Sequence, residues 1–332
     1  MANKTATSPT EKRGRSILLE MAFIITLSLL FYLSIPIKSY AIIYIPKGTL
    51  KSALSHLHAL ENPTPAVNGL DLWILRLMSV LHLWHMPKKG YVAIPVSPNN
   101  TIAKGDFLHA LSLSKAVYQD ITLIPGETLY FFLRHLAKTF ALKVQDLEQV
   151  YNEKALWADG AIVPDTYRFT LGISAQTLID YLIQHSQKHY QALSKQLLGS
   201  YDPKKWQQTL IVASIIQKEA ANAAEMPLIA GVIYNRLKKH MPLQMDGALN
   251  YGKYSHAKVT HERIAADNSP YNTYKHKGLP KEPVGSVGLE AIKAALFPAK
   301  TPFLYFVKTK EGTHKFSVNY KEHVRSISKF SP

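Results

Sequence analysis

The 332-residue chain contains no cysteine. That absence excludes structural disulfides, thiolate catalysis and cysteine-ligated metal together, and it leaves an extracytoplasmic address open. Acidic residues are scarce: 23 Asp and Glu stand against 39 Lys and Arg, a formal charge of +16. Such an excess attracts anionic partners over long range, whether nucleic acid, phospholipid or an acidic polymer, without choosing among them. No Gly-rich phosphate loop and no GxSxG elbow occur, so nucleotide and serine-hydrolase chemistry lose their usual markers. The fourteen histidines form no zinc-helix pattern: His82 and His85 lie three apart, His256 and His261 five apart, with no attendant glutamate. No metal and no cofactor are expected. Low-complexity and coiled-coil segments are missing as well.

What the chain has is one long apolar run. Residues 17–37, ILLEMAFIITLSLLFYLSIPI, carry Glu20 as their only charge and follow a polar stretch with Lys4, Lys12, Arg13 and Arg15. About 20 apolar residues span a bilayer, and basic residues ahead of the span hold the N-terminus in the cytoplasm. The expectation is a cytoplasmic tail (1–16), a transmembrane helix (17–37) and an exported remainder: a single-pass inner-membrane protein whose bulk is periplasmic. A cleaved signal peptide competes, since Ser39 and Ala41 form a small-x-small site, but the apolar run is longer than a usual signal core. Export makes nucleic acid a poor match for the positive charge. Anionic cell-envelope material is the natural one.

With 47% hydrophobic residues, the exported part can build two domains with cores of their own. Segments 44–57, 93–111 and 122–136 each read as an extended stretch, a Pro/Gly/Asn turn and a helix with leucines at helical spacing. Between the first two, residues 70–85 form an amphipathic helix closed by a Pro-Lys-Lys-Gly turn. The membrane-proximal part is therefore a small α+β unit. Helix predominates over 147–198, broken by a loop at 158–169. Further helices are expected at 203–223, 226–240 and 286–297, then a strand at 302–309, a turn at Glu311-Gly312 and a strand ending near Val318. Residues 241–281 are rich in Tyr, Asn, Gly, Pro and His and show little periodicity.

In IVASIIQKEA (211–220), helical spacing puts Val212, Ile215, Ile216 and Glu219 on one side. A carboxyl group continuing an apolar stripe is partly desolvated, which disfavours its charged form and raises its pKa toward the range of a general acid. The alternative is a helix-end glutamate turned to solvent or paired with Lys218 or Arg236. Segments 243–258 and 267–285 add Asp246, Tyr251, Tyr254, Tyr271, Asn272, Thr273 and Tyr274 in long irregular loops. Aromatic faces with amide and hydroxyl groups suit a sugar, and long loops in a compact domain are often functional. Tyr and Asn are also ordinary turn residues.

In order, ASIIQKEA, MPLIAGVIYNRLKKHMPLQMDGALNYG, SPYNTYKHKGLP, GLEAIKAALFPAKTPFLYFV and HKFSVNYKEH, with GAIVPDTYRF upstream, resemble the motifs of the YceG-like family of endolytic peptidoglycan transglycosylases. The resemblance covers most of 120–325 and, more loosely, 40–120. It implies an α+β fold: the transmembrane helix, a small LysM-like module at 40–120 and a mixed helical and β catalytic domain at 121–332. It implies a lytic transglycosylase that cuts the MurNAc–GlcNAc bond within nascent glycan strands. The products are 1,6-anhydroMurNAc ends that terminate strand elongation, and the implied partners are cell-wall synthases, the penicillin-binding proteins. The family's catalytic glutamate, the second acid of its EKE signature, falls on Glu219, while Gln217 replaces the first. Carried over by motif, Gln244, Asp246, Tyr271, Asn272, Thr273 and Tyr274 line the cleft, and Asn319 and His323 border or brace it. Met245, Gly247 and Ser286-Val287-Gly288 depart from the usual Thr, Pro and Asn-Pro-Gly. The competing reading, a non-catalytic peptidoglycan-binding scaffold for wall synthases, rests on Gln217 and these altered loops.

Overall fold

The apolar run folds as a helix, α1 (Pro9–Ser34), and Ser16–Ser34 is the one stretch among the described residues long and apolar enough to cross a membrane. The computed structural model describes residues 9–39, 42–45, 68–87, 90–97 and 100–330. They belong to two units: Met1–Tyr118 with Thr170–Gly172, and Gln119–Phe169 with Ile173–Pro332.

In the first unit α1 is followed by β1 (Pro36–Lys38), β2 (Ile42–Ile45), α2 (Gly69–Val80), β3 (Gly90–Ala93), β4 (Thr101–Ala103), α3 (Lys104–Ser112) and β5 (Lys115–Ala116). β1 pairs antiparallel with β4, Ile37 opposite Ile102. β3 lies between β2 and β5, with Ile43 opposite Val92 and Val92 opposite Ala116. A capping box starts α2, the Asn68 side chain accepting from Asp71 N–H and the Asp71 carboxylate from Asn68 N–H, so two otherwise unpaired donors are satisfied. The expected helix over 70–85 stops at Val80, because the chain turns through His82 in the left-handed region, φ 57°. Ile74, Leu75, Val92, Phe107, Leu108 and Leu111 form the core, and Leu29, Tyr32 and Leu33 of α1 pack against it. Of the range 40–120 expected to form a LysM-like module, residues 40–41, 46–67, 88–89 and 98–99 lie outside the described residues, and the rest do not show that module.

The second unit contains β6 (Tyr118–Thr122), α4 (Leu129–Phe140), α5 (Val144–Lys154), β7 (Thr166–Thr170), α6 (Ala175–Leu198), α7 (Pro203–Glu219), α8 (Met226–Lys238), α9 (Asp246–Leu249), α10 (His261–Ala266), α11 (Leu289–Leu296), β8 (Tyr305–Lys308), β9 (His314–Ser317) and α12 (Tyr320–Phe330). Asp202 caps α7 by accepting from Lys204 and Lys205 N–H, and Pro203 takes the first helical position, where a missing N–H loses nothing. Every residue from Thr209 to Ile216 is buried, with α8, α9 and α11 packed around it. A helix apolar all round belongs in a core, so the one-sided stripe read from sequence is only part of its buried surface.

Three expectations change. The loop expected at 158–169 ends in β7, a strand paired with β6, with Tyr167 and Phe169 buried and Arg168 facing out onto Asp120 at 2.7 Å. α7 stops at Glu219 rather than 223, because Asn222 accepts from Ala224 and Glu225 N–H and opens a new turn. The β8–β9 hairpin, Phe306 opposite Phe316, is followed by α12, which the sequence reading did not include. Asn319 and Glu322 cap it reciprocally: Glu322 N–H donates to Asn319 Oδ1 and Asn319 Nδ2 donates to the Glu322 carboxylate.

Ile215 is fully buried in the second unit's core, so Ile215→Ala is expected to destabilise that unit by about 2–5 kcal/mol. Urea unfolding followed by far-UV circular dichroism measures it.

Candidate active site

Successive residues on an α-helix are rotated by about 100°, and the last three of α7 reach three different neighbours. Gln217 turns toward α11, its Oε1 accepting from Gly288 N–H at 3.1 Å. That amide belongs to the N-cap residue of α11, so Gln217 is a capping side chain and does not face the cleft. Lys218 Nζ donates to Ser255 Oγ at 2.7 Å. Burial presses its pKa down, against the pull of Glu127 and Asp159. Asp159 is itself pushed up to about 6 by burial, although Leu129 N–H donates to it at 2.6 Å.

Glu219, the third, faces the cleft. Its Oε1 accepts from Gly247 N–H, at the start of α9, at 2.6 Å. The approach is possible only because residue 247 is glycine: a Cβ there would lie 2.7 Å from Lys218 Cβ and 2.9 Å from Glu219 Oε1. The residue as a whole keeps some exposure, but its carboxyl group is packed among protein atoms. Desolvation pushes its pKa up to about 7; the Gly247 hydrogen bond opposes this and the charge of Asp246 adds to it. Neither base weighed from sequence pairs with it. Lys218 is held by Ser255, and the Arg236 guanidinium donates to the carbonyls of Leu304, Pro242 and Leu243 at 2.7, 3.1 and 2.7 Å.

Around Glu219 opens a cleft of about 620 Å³, also lined by Gln244, Asp246, His261, Tyr274, Tyr305, Tyr320 and His323. Tyr274 donates its hydroxyl to Asp246 Oδ1 at 2.7 Å. Burial first, then that hydrogen bond, raise the Tyr274 pKa well above its ordinary value, so it remains a donor. Gln244 holds a left-handed backbone, φ 51°, at a cost of about 1–3 kcal/mol for a non-glycine residue. Its N–H is fixed on Thr273 O at 3.1 Å. The far end of the cleft is aromatic: the His323 ring stacks on Tyr305 with centroids 5.0 Å apart, and Arg236 lies over the other ring at 5.0 Å. Burial and the Arg236 charge lower the His323 pKa. Among the described residues no group of three or more His, Asp and Glu converges as a metal site would.

Of the residues named from sequence, Glu219, Gln244, Asp246, Tyr274 and His323 meet in this cleft. The others are not among its lining residues. Asn272 and Thr273 are buried: Asn272 Nδ2 donates to Ile264 O and Asp267 O, and Thr273 Oγ1 accepts from Met245 N–H at 3.0 Å. Tyr271 stacks on Tyr251 at 4.4 Å, and Asn319 caps α12. Sequence reasoning missed Arg236, His261, Tyr305 and Tyr320 as cleft residues. Two of these had a signal: period-2 spacing puts Tyr305 and Val307 on one strand face, and Asn-x-x-Glu at 319–322 announces a helix that brings Tyr320 and His323 together.

The second unit thus sets a desolvated acid at the end of its central helix, facing an open cleft edged with tyrosines. The comparisons define the class. The YceG-like family matches residues 96–329, and the chain belongs to that family. It is 33% identical over 215 residues to an endolytic murein transglycosylase of Bacillus subtilis, 64% of this chain and 58% of that one. An endolytic murein transglycosylase of Streptococcus pneumoniae is 30% identical over 253 residues, 72% of this chain and 43% of that one. The chain thus spans 58% and 43% of the length of these curated relatives. The crystal structure of a YceG-like protein from Listeria monocytogenes shares the fold, with a TM-score of 0.53 and 23% identity over 87% of this chain and 99% of that one.

Raising the Glu219 pKa from its ordinary value to about 7 means that between these values the unfolded chain ionises while the folded one keeps its proton. Folding is therefore penalised progressively as pH rises toward 7, by an amount on the order of 3 kcal/mol above it. Glu219→Gln removes the penalty: its stability should match that of wild type near pH 4.5 and exceed it increasingly up to about pH 7. Urea midpoints measured across that range test the sign.

Proposed function

We propose that this chain is a membrane-anchored endolytic murein transglycosylase that cleaves MurNAc–GlcNAc bonds within glycan strands without consuming water. The observation that carries the reading is the Glu219 carboxyl: desolvated, pKa about 7, open to the cleft and held by a single backbone N–H. The names of the relatives from Bacillus subtilis and Streptococcus pneumoniae support the same activity.

In this mechanism protonated Glu219 donates its proton to the glycosidic oxygen as the bond from muramic C1 to that oxygen breaks, and the leaving GlcNAc takes the proton as a hydroxyl. Positive charge develops at C1. The muramic C6 hydroxyl then attacks C1 from within the same sugar, and the Glu219 carboxylate accepts its proton. The 1,6-anhydro ring closes and the enzyme returns to its starting protonation. Hydrolytic glycosidases use two carboxylates, because one must serve as nucleophile or activate water; an internal hydroxyl removes that need. Asp246 has a different task, holding negative charge beside Glu219 while anchored to Tyr274. The aromatic end of the cleft, Tyr305 with His323, offers flat faces to sugar rings.

α1 is read as the anchor, with its basic N-terminal side in the cytoplasm and the chain that follows it outside, where wall strands are made. The positive charge of +16 suits an anionic polymer. Strand termination alongside cell-wall synthases follows from such a product and such a location. The scaffold reading loses its main support, since Gln217 caps α11, which either an amide or a carboxylate oxygen can do.

Incubating the full-length protein with purified sacculi should release muropeptides with 1,6-anhydroMurNAc ends, identified by mass spectrometry. Glu219→Gln should abolish them while leaving sacculus binding intact. The rate should fall as pH rises through about 7, where Glu219 loses the proton it must donate. Ordinary reducing ends, or no products at all, would overturn the reading. Gln217→Glu should keep wild-type product yield, since the cap to Gly288 survives; a loss of more than about tenfold, roughly 1.4 kcal/mol in the barrier, would put residue 217 back in the chemistry.

A further inference from the structure

The apolar helix is too short for the membrane if its last turns stand clear of it. Ser16–Ser34 is about 28 Å long at 1.5 Å per residue, against a hydrocarbon thickness of about 30 Å. It cannot be extended backward, because Lys12, Arg13 and Arg15 precede it. Yet its last two turns are packed into the first unit. Leu29, Tyr32 and Leu33 lie against the Ile74, Leu75, Phe107 and Leu108 core, and Gly105 of α3 lies beside Leu33.

A polar clamp fixes the junction. Tyr32 donates its hydroxyl to Asp71 Oδ1 at 2.8 Å and accepts from Asn68 Nδ2 at 2.8 Å. Lys104 Nζ sits 3.2 Å from Asp71 and 4.3 Å from the centroid of the Tyr32 ring. If the unit stood wholly in water, Leu29–Ser34 would stand there with it. Only about 20 Å of apolar helix would then remain for a core of about 30 Å. The shortfall disappears if the unit enters the bilayer by the depth of those two turns.

Its surface is made for that position. α2 is apolar on two faces. One, Ile74 and Leu75, is core; the other, Leu70, Trp73, Leu77 and Val80, recurs at helical spacing and is exposed, Trp73 at 56% and Val80 at 74%. The turn that follows adds exposed Leu81 and Leu83. Leu30 and Phe31, on the side of α1 turned from the unit, are exposed too. From 68 to 104 the only acidic residue is Asp71, which is buried in the clamp, while Arg76, Lys88, Lys89 and Lys104 are basic. An exposed apolar stripe in a segment whose only acid is buried, with exposed Arg76 next to Leu77 in the chain, suits an element lying in an anionic lipid interface.

We propose that the exposed stripe of α2 and the 81–83 turn is a bilayer-docking surface: it lies in the headgroup and acyl boundary of the leaflet from which α1 emerges, making the first unit a collar of the anchor. The proposal rests on the anchored reading of α1. The absence of native cysteine permits a direct test with single nitroxide labels at Trp73→Cys, Leu77→Cys and Leu81→Cys in full-length protein, reconstituted in phosphatidylethanolamine–phosphatidylglycerol vesicles. Ile24→Cys reports the mid-span, and Gln191→Cys, an exposed site on α6, reports water.

The three labels should be more accessible to oxygen than to a polar nickel chelate, at a depth of about 5–10 Å, shallower than the Ile24 label. Aqueous accessibility like that of Gln191, with Ile24 in lipid, would overturn the docking surface and spare the anchor. Shielding from both reagents would overturn it as well, since protein would then cover the stripe. An aqueous Ile24 label would overturn the anchor itself, and docking with it.

Discussion

A helix buried on every side must emerge at its end, and the end of α7 sets the chemistry of this protein. From Thr209 to Ile216 every residue of α7 is buried, so beyond its exposed first turns the helix regains partial exposure only in its final turn. The carboxyl at the very end meets one backbone donor, Gly247 N–H. A carboxylate held by two or three amides is strongly stabilised as an anion. One amide, in a desolvated position beside Asp246 and at the negative end of a helix, is too few. The same contact satisfies the protonated acid well, because the acid still offers an oxygen to accept from Gly247. Retention of the proton near neutrality thus follows from where the core helix stops.

That arrangement also separates two carboxylates that lie near each other. Asp246 is exposed and accepts from Tyr274, whereas Glu219 is desolvated and accepts only from a backbone amide. The charge of Asp246 adds to the desolvation that disfavours ionisation of Glu219. Gly247 makes the difference possible, since any side chain at that position would occupy the space of Glu219 Oε1.

The long elements were legible in the sequence, because caps and periodicity agree over many residues: α6 runs from its Ser174 cap to a left-handed Gly199, and α7 starts at Asp202-Pro203. Short elements were not. β7 is five residues long, and its Tyr167 and Phe169 alternation is too brief to separate from a loop. Glu219 could be suspected from its place on an apolar face, but the cleft could not be assembled locally. Asn272, Thr273 and Asn319 look like ligand-binding residues in sequence, and in the fold they hydrogen-bond to the protein's own loops and helix ends. Short polar side chains do both with the same atoms. Tyr305 and Tyr320 differ: their strand and helix had local signals, but a hairpin and a terminal helix bring them to the cleft, and tertiary contact alone discloses that last step.

The first unit applies the same physics to its own buried charge. Asp71 and Lys104 are almost fully withdrawn from water, with side-chain exposures of 2% and 14%. A buried ion pair is a weak source of net stability, because desolvation offsets most of the attraction. What such a pair does supply is geometry, since removing either partner would strand the other. Here the pair is completed by Tyr32 from α1 and Asn68 from the start of α2. Each element that meets the apolar helix is thereby held in one register with respect to it. A loose tether would need none of this. The clamp therefore fixes the orientation of α2 and α3 about the end of α1.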